Sequence, residues 1–271
     1  MRRTVVIGVG VLGISAAAAL SVSAWRFNHR LDDFEAGLKC GPLPAEPRTD
    51  LPSEVVGLAR RLGVTPERGH RFSHFAQTGQ MWSAPGAGPM SFSARQTVST
   101  ANSGFLWRAA AGPAGLIKIA DYLIWGSGGL EARILGSVAV AKDVDSPQTV
   151  QGEAMRYLAE LPWNPDALLY NHALDWTVLD AHRLRVATGS GRSRAEVVLE
   201  LNEAGLIEKS GAAARPRLED GTYVPRPWHG RFWNYVRVAE RMVPMAGEVA
   251  WTIDGTEFIY WRGQITNWAA Q

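Results

Sequence analysis

Met90, Phe92, Ala94 and Val98 alternate with Ser91, Ser93, Arg95 and Thr97. A period of two puts successive side chains on opposite faces, so this stretch predicts a β-strand with one buried and one wet face. Similar segments follow at 104–111, 116–125 and 130–135, separated by Gly-Pro and Gly-Ser-Gly-Gly punctuation at hairpin spacing. The first half therefore reads as an antiparallel meander beginning near Phe72. The pattern resumes with Leu174, Trp176 and Val178, then Leu184 and Val186, then Ala195, Val197, Leu199 and Leu201 set against Arg194, Glu196 and Glu200. This predicts a second meander, continued by strands at 232–238, 248–253, 257–262 and 264–268. The polar stretch Gly211 to Pro227, rich in Pro, Gly and Arg, predicts a long surface loop.

The period changes to helical between the two meanders. In Gly152 to Leu169, Ala154, Leu158 and Leu161 recur at helical spacing, while Glu153, Arg156 and Glu160 share the opposite face. Pro162 ends this helix, and Asn164-Pro165-Asp166 predicts a second short one, with Asn164 as cap and Asp166 near the positive end of the dipole. A further helix is predicted from Ser53 as cap, with Val55, Ala59 and Leu62 as its apolar stripe and Gly63 as its stop. Many strands and one dominant internal helix predict a mainly β, α+β fold: a strongly curved antiparallel sheet, or half-barrel, wrapped around a central helix at 150–169.

Met1-Arg2-Arg3 precedes an uncharged run from Thr4 to Trp25, the pattern of a transmembrane or signal helix. The run is long enough to be retained as a single-pass anchor with the body outside the cytoplasm, and Val22-Ser23-Ala24 also offers a cleavage site that would leave a secreted or periplasmic protein. The expected organisation is a signal anchor or signal peptide at 1–25, a Pro-containing tether at 26–50 and one half-barrel domain at 51–271. The expected location is the cell envelope.

Composition narrows the chemistry. The net charge of +2 includes Arg2 and Arg3, so the body itself is neutral and has no electrostatic footprint for nucleic acid. Cys40 is the single cysteine, which excludes an intrachain disulfide and a cysteine-based zinc site. No nucleophile elbow, P-loop or dinucleotide-binding glycine pattern is present, and His70 and His74, although four apart, lie in a stretch that reads as turn and strand. No catalytic residue, metal or cofactor is assigned. Eleven tryptophans stand out, each bringing a large apolar surface and an N–H that needs a partner when buried.

Three functional readings follow. In the first, the half-barrel binds a lipid or other hydrophobic ligand: Trp107, Trp125, Trp163 and Trp251 form the walls, Trp228 stands at the rim beside Arg226 and His229, and Arg156 and Glu160 meet a polar head group. In the second, Glu160 or Glu153 acts as acid or base beside Arg156 in an envelope enzyme. In the third, exposed tryptophans form a contact patch of a structural or partner-binding module. The charged trio also reads as a helix-surface ion pair, or as an arginine bridging helix to sheet. Glu248 and Trp251, an odd number of residues apart, point to opposite faces of one strand.

The string Arg156 to Trp163 (RYLAELPW), with Gly104 to Ala109 (GFLWRA), Leu130 to Gly136 (LEARILG), Gly247 to Trp251 (GEVAW) and Tyr260 to Gly263 (YWRG), resembles a bacterial family of unknown function. The resemblance covers roughly Phe72 to Trp268 and implies no catalytic residue. The succession of strands around a central helix also resembles the half-barrels of periplasmic lipoprotein carriers, LolA-like and LppX-like. That similarity implies an apolar ligand held between a concave sheet and covering helices.

Overall fold

The computed structural model describes residues 2–41 and 46–271, with side chains described from residue 17 onward except that of Arg192. Two helices, α1 (Arg2–Lys39) and α2 (Ser53–Arg61), precede a first run of strands. These are β1 (Phe72–Met81), β2 (Met90–Ser99), β3 (Phe105–Ala111), β4 (Ile117–Ile124), β5 (Ser127–Ile134) and β6 (Val138–Val144). Then come α3 (Pro147–Ala159), a 3-10 turn (Leu161–Trp163) and α4 (Ala167–Tyr170). The second run comprises β7 (Asp175–Asp180), β8 (Arg183–Thr188), β9 (Ala195–Leu201), β10 (Ile207–Glu219), β11 (Thr222–Val238), β12 (Arg241–Ile253) and β13 (Thr256–Ala270).

All thirteen strands form one sheet in the order β6-β5-β4-β3-β2-β1-β13-β12-β11-β10-β9-β8-β7. Each meander is sequential, and the two join where β1 pairs antiparallel with β13, from Ser73 opposite Ala270 to Met81 opposite Trp261. At this seam Gly79 faces Gly263, and a Cβ on Gly79 would fall 2.1 Å from the Arg262 carbonyl oxygen. The edges β6 and β7 do not pair, so the barrel stays open. They are joined in sequence by α3, the 3-10 turn and α4. Because α3 touches β4, β5 and β6 on one side and β8, β9 and β10 on the other, strands far apart in the sheet order must curl around it. The expected curved sheet around a central helix is therefore present.

The main core lies on the concave side, where Phe75, Phe105, Leu158, Leu161 and Leu168 are fully buried. Each such side chain contributes about 1.5–3 kcal/mol of burial. A smaller core lies on the convex side and corrects the expected tether. Residues 26–39 continue α1, and Phe27, Leu31, Phe34 and Leu38 recur at spacings of four and three to pack on Leu106, Tyr122 and Ile124 of β3 and β4. These two strands are consequently covered on both faces. Ion pairs fix the helix: Arg30 to Glu131 at 2.6 Å, and Arg108 to Asp32 at 2.5 Å.

Among the described residues no helix is long and apolar enough to cross a membrane. The expected span at Thr4 to Trp25 lies largely outside the residues whose side chains are described.

The predicted loop at 211–227 is instead most of the β10–β11 hairpin. Pro216 pairs with Pro225, beyond the reach of β9 and β12, so neither proline leaves a third strand short of a donor. Ser53 is the first residue of α2, whose N-cap is Pro52, and its hydroxyl reaches Glu54 rather than a backbone N–H. The central helix starts earlier than predicted, at Pro147, where Ser146 Oγ accepts from the Thr149 N–H at 3.0 Å.

Candidate functional site

The inward side of α3 carries the charges that the sequence singles out, and the sheet meets them on two flanks. On the first, Arg156 Nε donates to Glu160 Oε1 at 2.8 Å while Nη1 donates to Asp121 of β4. The guanidinium lies over the rings of Phe105 (4.9 Å) and Trp107 (5.4 Å), an arrangement that gains cation–π energy once desolvated. The second oxygen of Glu160 accepts from Gln96 Nε2, and Trp107 Nε1 donates to Gln77 Oε1 at 2.6 Å. Burial alone would lower the basicity of Arg156, but the facing carboxylates of Glu160, Asp121 and Glu153 outweigh it and hold the group above its ordinary value.

On the second flank Arg215 of β10 donates to the Gly152 carbonyl at 3.1 Å and to Glu153 Oε1 at 3.5 Å. It stacks over Trp228 at 4.4 Å and lies 5.4 Å from Trp251. Trp228 Nε1 donates to the Tyr260 hydroxyl, and Trp251 stacks on that same ring. Glu153 joins the two flanks. Burial first, then the charge of Asp121, push its carboxyl well above the ordinary value despite Arg215. A protonated Glu153 hydrogen-bonded to Asp121 satisfies Glu153 Oε2 and Asp121 Oδ1, which otherwise have no partner. With Glu153 protonated, Arg156 and Arg215 face the two carboxylates of Asp121 and Glu160.

Trp163 is not a wall of this hollow but part of what fills it. From the 3-10 turn its ring enters the sheet among Phe75, Phe232 and Trp261, and its Nε1 donates to the Pro244 carbonyl at 2.8 Å. The ring lies against Gly247, where a Cβ would come within 3.2 Å of it. The strings RYLAELPW and GEVAW thus meet face to face. Asn164 does not cap α4: its Nδ2 donates to the Ser99 carbonyl at 2.9 Å and its Oδ1 accepts from Ser73 Oγ, also at 2.9 Å.

The structure brings Trp107, Arg156 and Glu160 together on one flank and Trp228 and Trp251 on the other. Trp228 is buried rather than at a rim. Trp125 belongs to neither flank. It occupies the β4–β5 turn with φ 51°, is 78% exposed and lies beside Phe34 and Gly37 of α1 on the convex side. Glu248 pairs with Arg231 and Arg262, apart from Trp251, as the odd spacing requires. Sequence reasoning missed Asp121, whose signal is the one acidic residue in a largely apolar strand, and Arg215, which stands in the stretch read as loop.

Asp166 is likewise more than a helix-dipole residue. It takes two hydrogen bonds from Arg241, at 2.8 and 2.9 Å, while His70 Nδ1 lies 3.3 Å away. Burial would raise its carboxyl, but the hydrogen bonds from Arg241 and His70 prevail and hold it below its ordinary value.

The hollow under the sheet is occupied by α3, the 3-10 turn and α4 themselves. Among the described residues two pockets lie elsewhere: a groove of about 620 Å³ between α1 and β5, and a hollow of about 290 Å³ beside His70, Arg241 and Trp268. An acid–base role requires a carboxylate that solvent can reach, whereas Glu153 is 6% exposed and Glu160 9%.

Three solved structures are similar to this chain at low identity. A LolA superfamily protein from Nitrosomonas europaea is 12% identical, with 80% of this chain and 93% of that one covered and a TM-score of 0.42. A putative outer membrane lipoprotein-sorting protein domain from Vibrio parahaemolyticus is 10% identical, covering 80% and 91%, with a TM-score of 0.45. A DUF1329 family protein from Desulfovibrio piger is 9% identical, covering 80% and 90%, with a TM-score of 0.47. No curated protein matches the chain. A family of unknown function, DUF6920, matches residues 49–269, and the chain belongs to that family.

Proposed function

We propose that this chain is an envelope protein that takes a hydrophobic ligand with a polar head group, such as a lipid, into its half-barrel, and that α3, the 3-10 turn and α4 form a plug which the ligand displaces. The observation that carries this reading is how the plug is held. Ion pairs and side-chain hydrogen bonds (Asp121 to Arg156, Gln96 to Glu160, Arg215 to Glu153) tie α3 to an aromatic concave sheet. Buried ion pairs add little net stability, because desolvation offsets their attraction. Arg156 and Glu160 leave with the plug as a pair, and an anionic head group facing Arg215, which stays on the sheet, would take the place of Glu153. An acyl chain would replace Leu158, Leu161 and Leu168 on the aromatic floor. The unpaired edges β6 and β7 leave the plug a way out that breaks no strand ladder.

The test is native mass spectrometry with lipid extraction on the full-length chain, alongside Arg215→Gln, with hydrogen exchange over residues 147–159. A lipid-sized mass that weakens in the variant, together with lost protection of the α3 amides on lipid addition, is the expected result. An apo mass that takes up no added lipid while the fold is intact would sink the reading. So would bound lipid with α3 fully protected.

A further inference from the structure

The groove along α1 has no part in the hollow. It runs between the helix and β5 and is lined by Val22 and Phe27 together with Arg26, Arg30 and Arg133. One carboxylate, the fully buried Glu131, holds two of these arginines in place: Arg30 at 2.6 Å and Arg133 at 3.1 Å. Both guanidinium groups flank the Phe27 ring, at 5.7 and 4.9 Å. Arg26 is exposed, and Arg30 Nε is buried with no hydrogen-bond partner. Three guanidinium groups against one carboxylate leave a local excess of two positive charges in a body that is neutral overall.

The surroundings of the groove are apolar. The β5–β6 turn is bound to the helix through Ser137 Oγ to the Leu20 carbonyl at 2.9 Å and Ser23 Oγ to the Ser137 carbonyl at 2.8 Å. Around that junction Leu20, Val22, Ile134, Leu135, Val138 and Val140 are all exposed. β6 carries Val138-Ala139-Val140-Ala141 at an open sheet edge with every one of these side chains facing water. Trp25, 63% exposed, stands at the end of the uncharged run on the same helix, the place where membrane-interface aromatics are found.

We infer that this groove binds the phosphate of an anionic phospholipid, with the surrounding aliphatic side chains entering the outer part of the bilayer. Charge complementarity selects the anion, since basic residues beside a membrane attract acidic lipid head groups. The aliphatic rim selects a lipid over a soluble phosphate, because a free anion gains nothing from six exposed hydrocarbon side chains. The continuity of α1 with the Thr4 to Trp25 run fixes which end of the body faces the bilayer. This site is separate from the proposed ligand hollow and does not depend on it.

The experiment reads lipid retention by native mass spectrometry of the full-length chain, released from detergent micelles doped with phosphatidylglycerol or phosphatidylcholine of identical acyl chains. Glycerol 3-phosphate serves as the soluble control. Wild type should retain phosphatidylglycerol about tenfold over phosphatidylcholine. Arg26→Gln, which touches no buried pair, should lower that preference severalfold. The set Arg30→Gln, Glu131→Gln and Arg133→Gln, which strands no buried charge and likewise leaves one excess positive charge, should lower it by a similar factor with unchanged circular dichroism. Arg215→Gln should leave it intact, which separates this site from the interior one. Equal retention of the two lipids by wild type, undiminished retention in the variants, or glycerol 3-phosphate binding as tight as the lipid would each overturn the inference. A dimer in place of a lipid adduct would overturn it as well.

Discussion

Arg156→Ala tests the buried network most directly. The substitution removes the cation shared by Asp121 and Glu160, whose side chains are 9% and 11% exposed, and leaves three carboxyl groups with Arg215 alone. Breaking a buried pair by deleting one partner costs about 3–5 kcal/mol. The lost contact with the Phe105 and Trp107 faces adds about 0.5–1 kcal/mol. At this chain length each kcal/mol shifts the thermal midpoint by about 2–4 °C, so a drop of roughly 10 °C or more is expected. Urea unfolding of the full-length chain at pH 7, followed by tryptophan fluorescence, measures the free energy directly. The decisive control is Arg156→Met combined with Asp121→Asn and Glu160→Gln, which removes cation and anions together and should recover most of the loss. A cost below about 1 kcal/mol for Arg156→Ala would mean that these charges are effectively solvated. A triple variant as unstable as the single one would assign the loss to packing instead, and either result refutes the stranded-charge argument.

Other consequences can be checked in the same way. Because the Glu153 carboxyl is raised, the native state keeps a proton that the unfolded chain releases above the ordinary glutamate range. Its contribution to stability therefore declines as pH rises from that range toward the folded value. Glu153→Gln should accordingly gain on wild type between pH 4 and pH 8, and midpoints that stay parallel across that range would contradict this. Asp166 is shifted the other way, so its contribution is present above the ordinary aspartate range and is lost as pH falls through the lower folded value. Asp166→Asn should cost about 3–5 kcal/mol at pH 7 by stranding Arg241 and should flatten the acid limb of the stability profile, which urea midpoints at pH 2 to 7 would reveal. Gly247→Ala places a methyl group within 3.2 Å of the Trp163 ring and should cost about 1–3 kcal/mol through overpacking. An unchanged urea midpoint and emission spectrum would show that Trp163 does not depend on that glycine.

Much of the architecture was legible because periodicity reports which face of an element is buried. The strands from Met90 to Leu135 and from Leu174 to Leu201 follow their alternation, and the central helix follows its 3.6-residue spacing. The resemblance of RYLAELPW and the shorter strings to an uncharacterised family agrees with the family match over 49–269. What failed did so for physical reasons. The β10–β11 hairpin contains prolines and arginines whose company is decided by a helix distant in sequence, so composition pointed to a loop. The stripe Phe27, Leu31, Phe34 and Leu38 was readable but was masked by the charges between its members, which pair with Arg108 and Glu131. Trp107, Arg156 and Glu160 lie near one another, whereas their sheet partners Asp121 and Gln96 come from strands that no local pattern connects to α3. Trp125 failed as a cavity wall because a turn residue with positive φ points where the hairpin sends it.

The pairing of β1 with β13 has a consequence for how the chain reaches this state. Residues 72–81 are synthesised well before their partners 256–270, so the middle of the sheet closes only after both meanders are available. Until then each meander has a free edge at the seam, Phe72–Met81 on one and Thr256–Ala270 on the other. Unpaired edges of this kind template wrong pairings, and contacts so distant in sequence slow folding. The seam is thus expected to close late, and the first meander to need shielding in the interval.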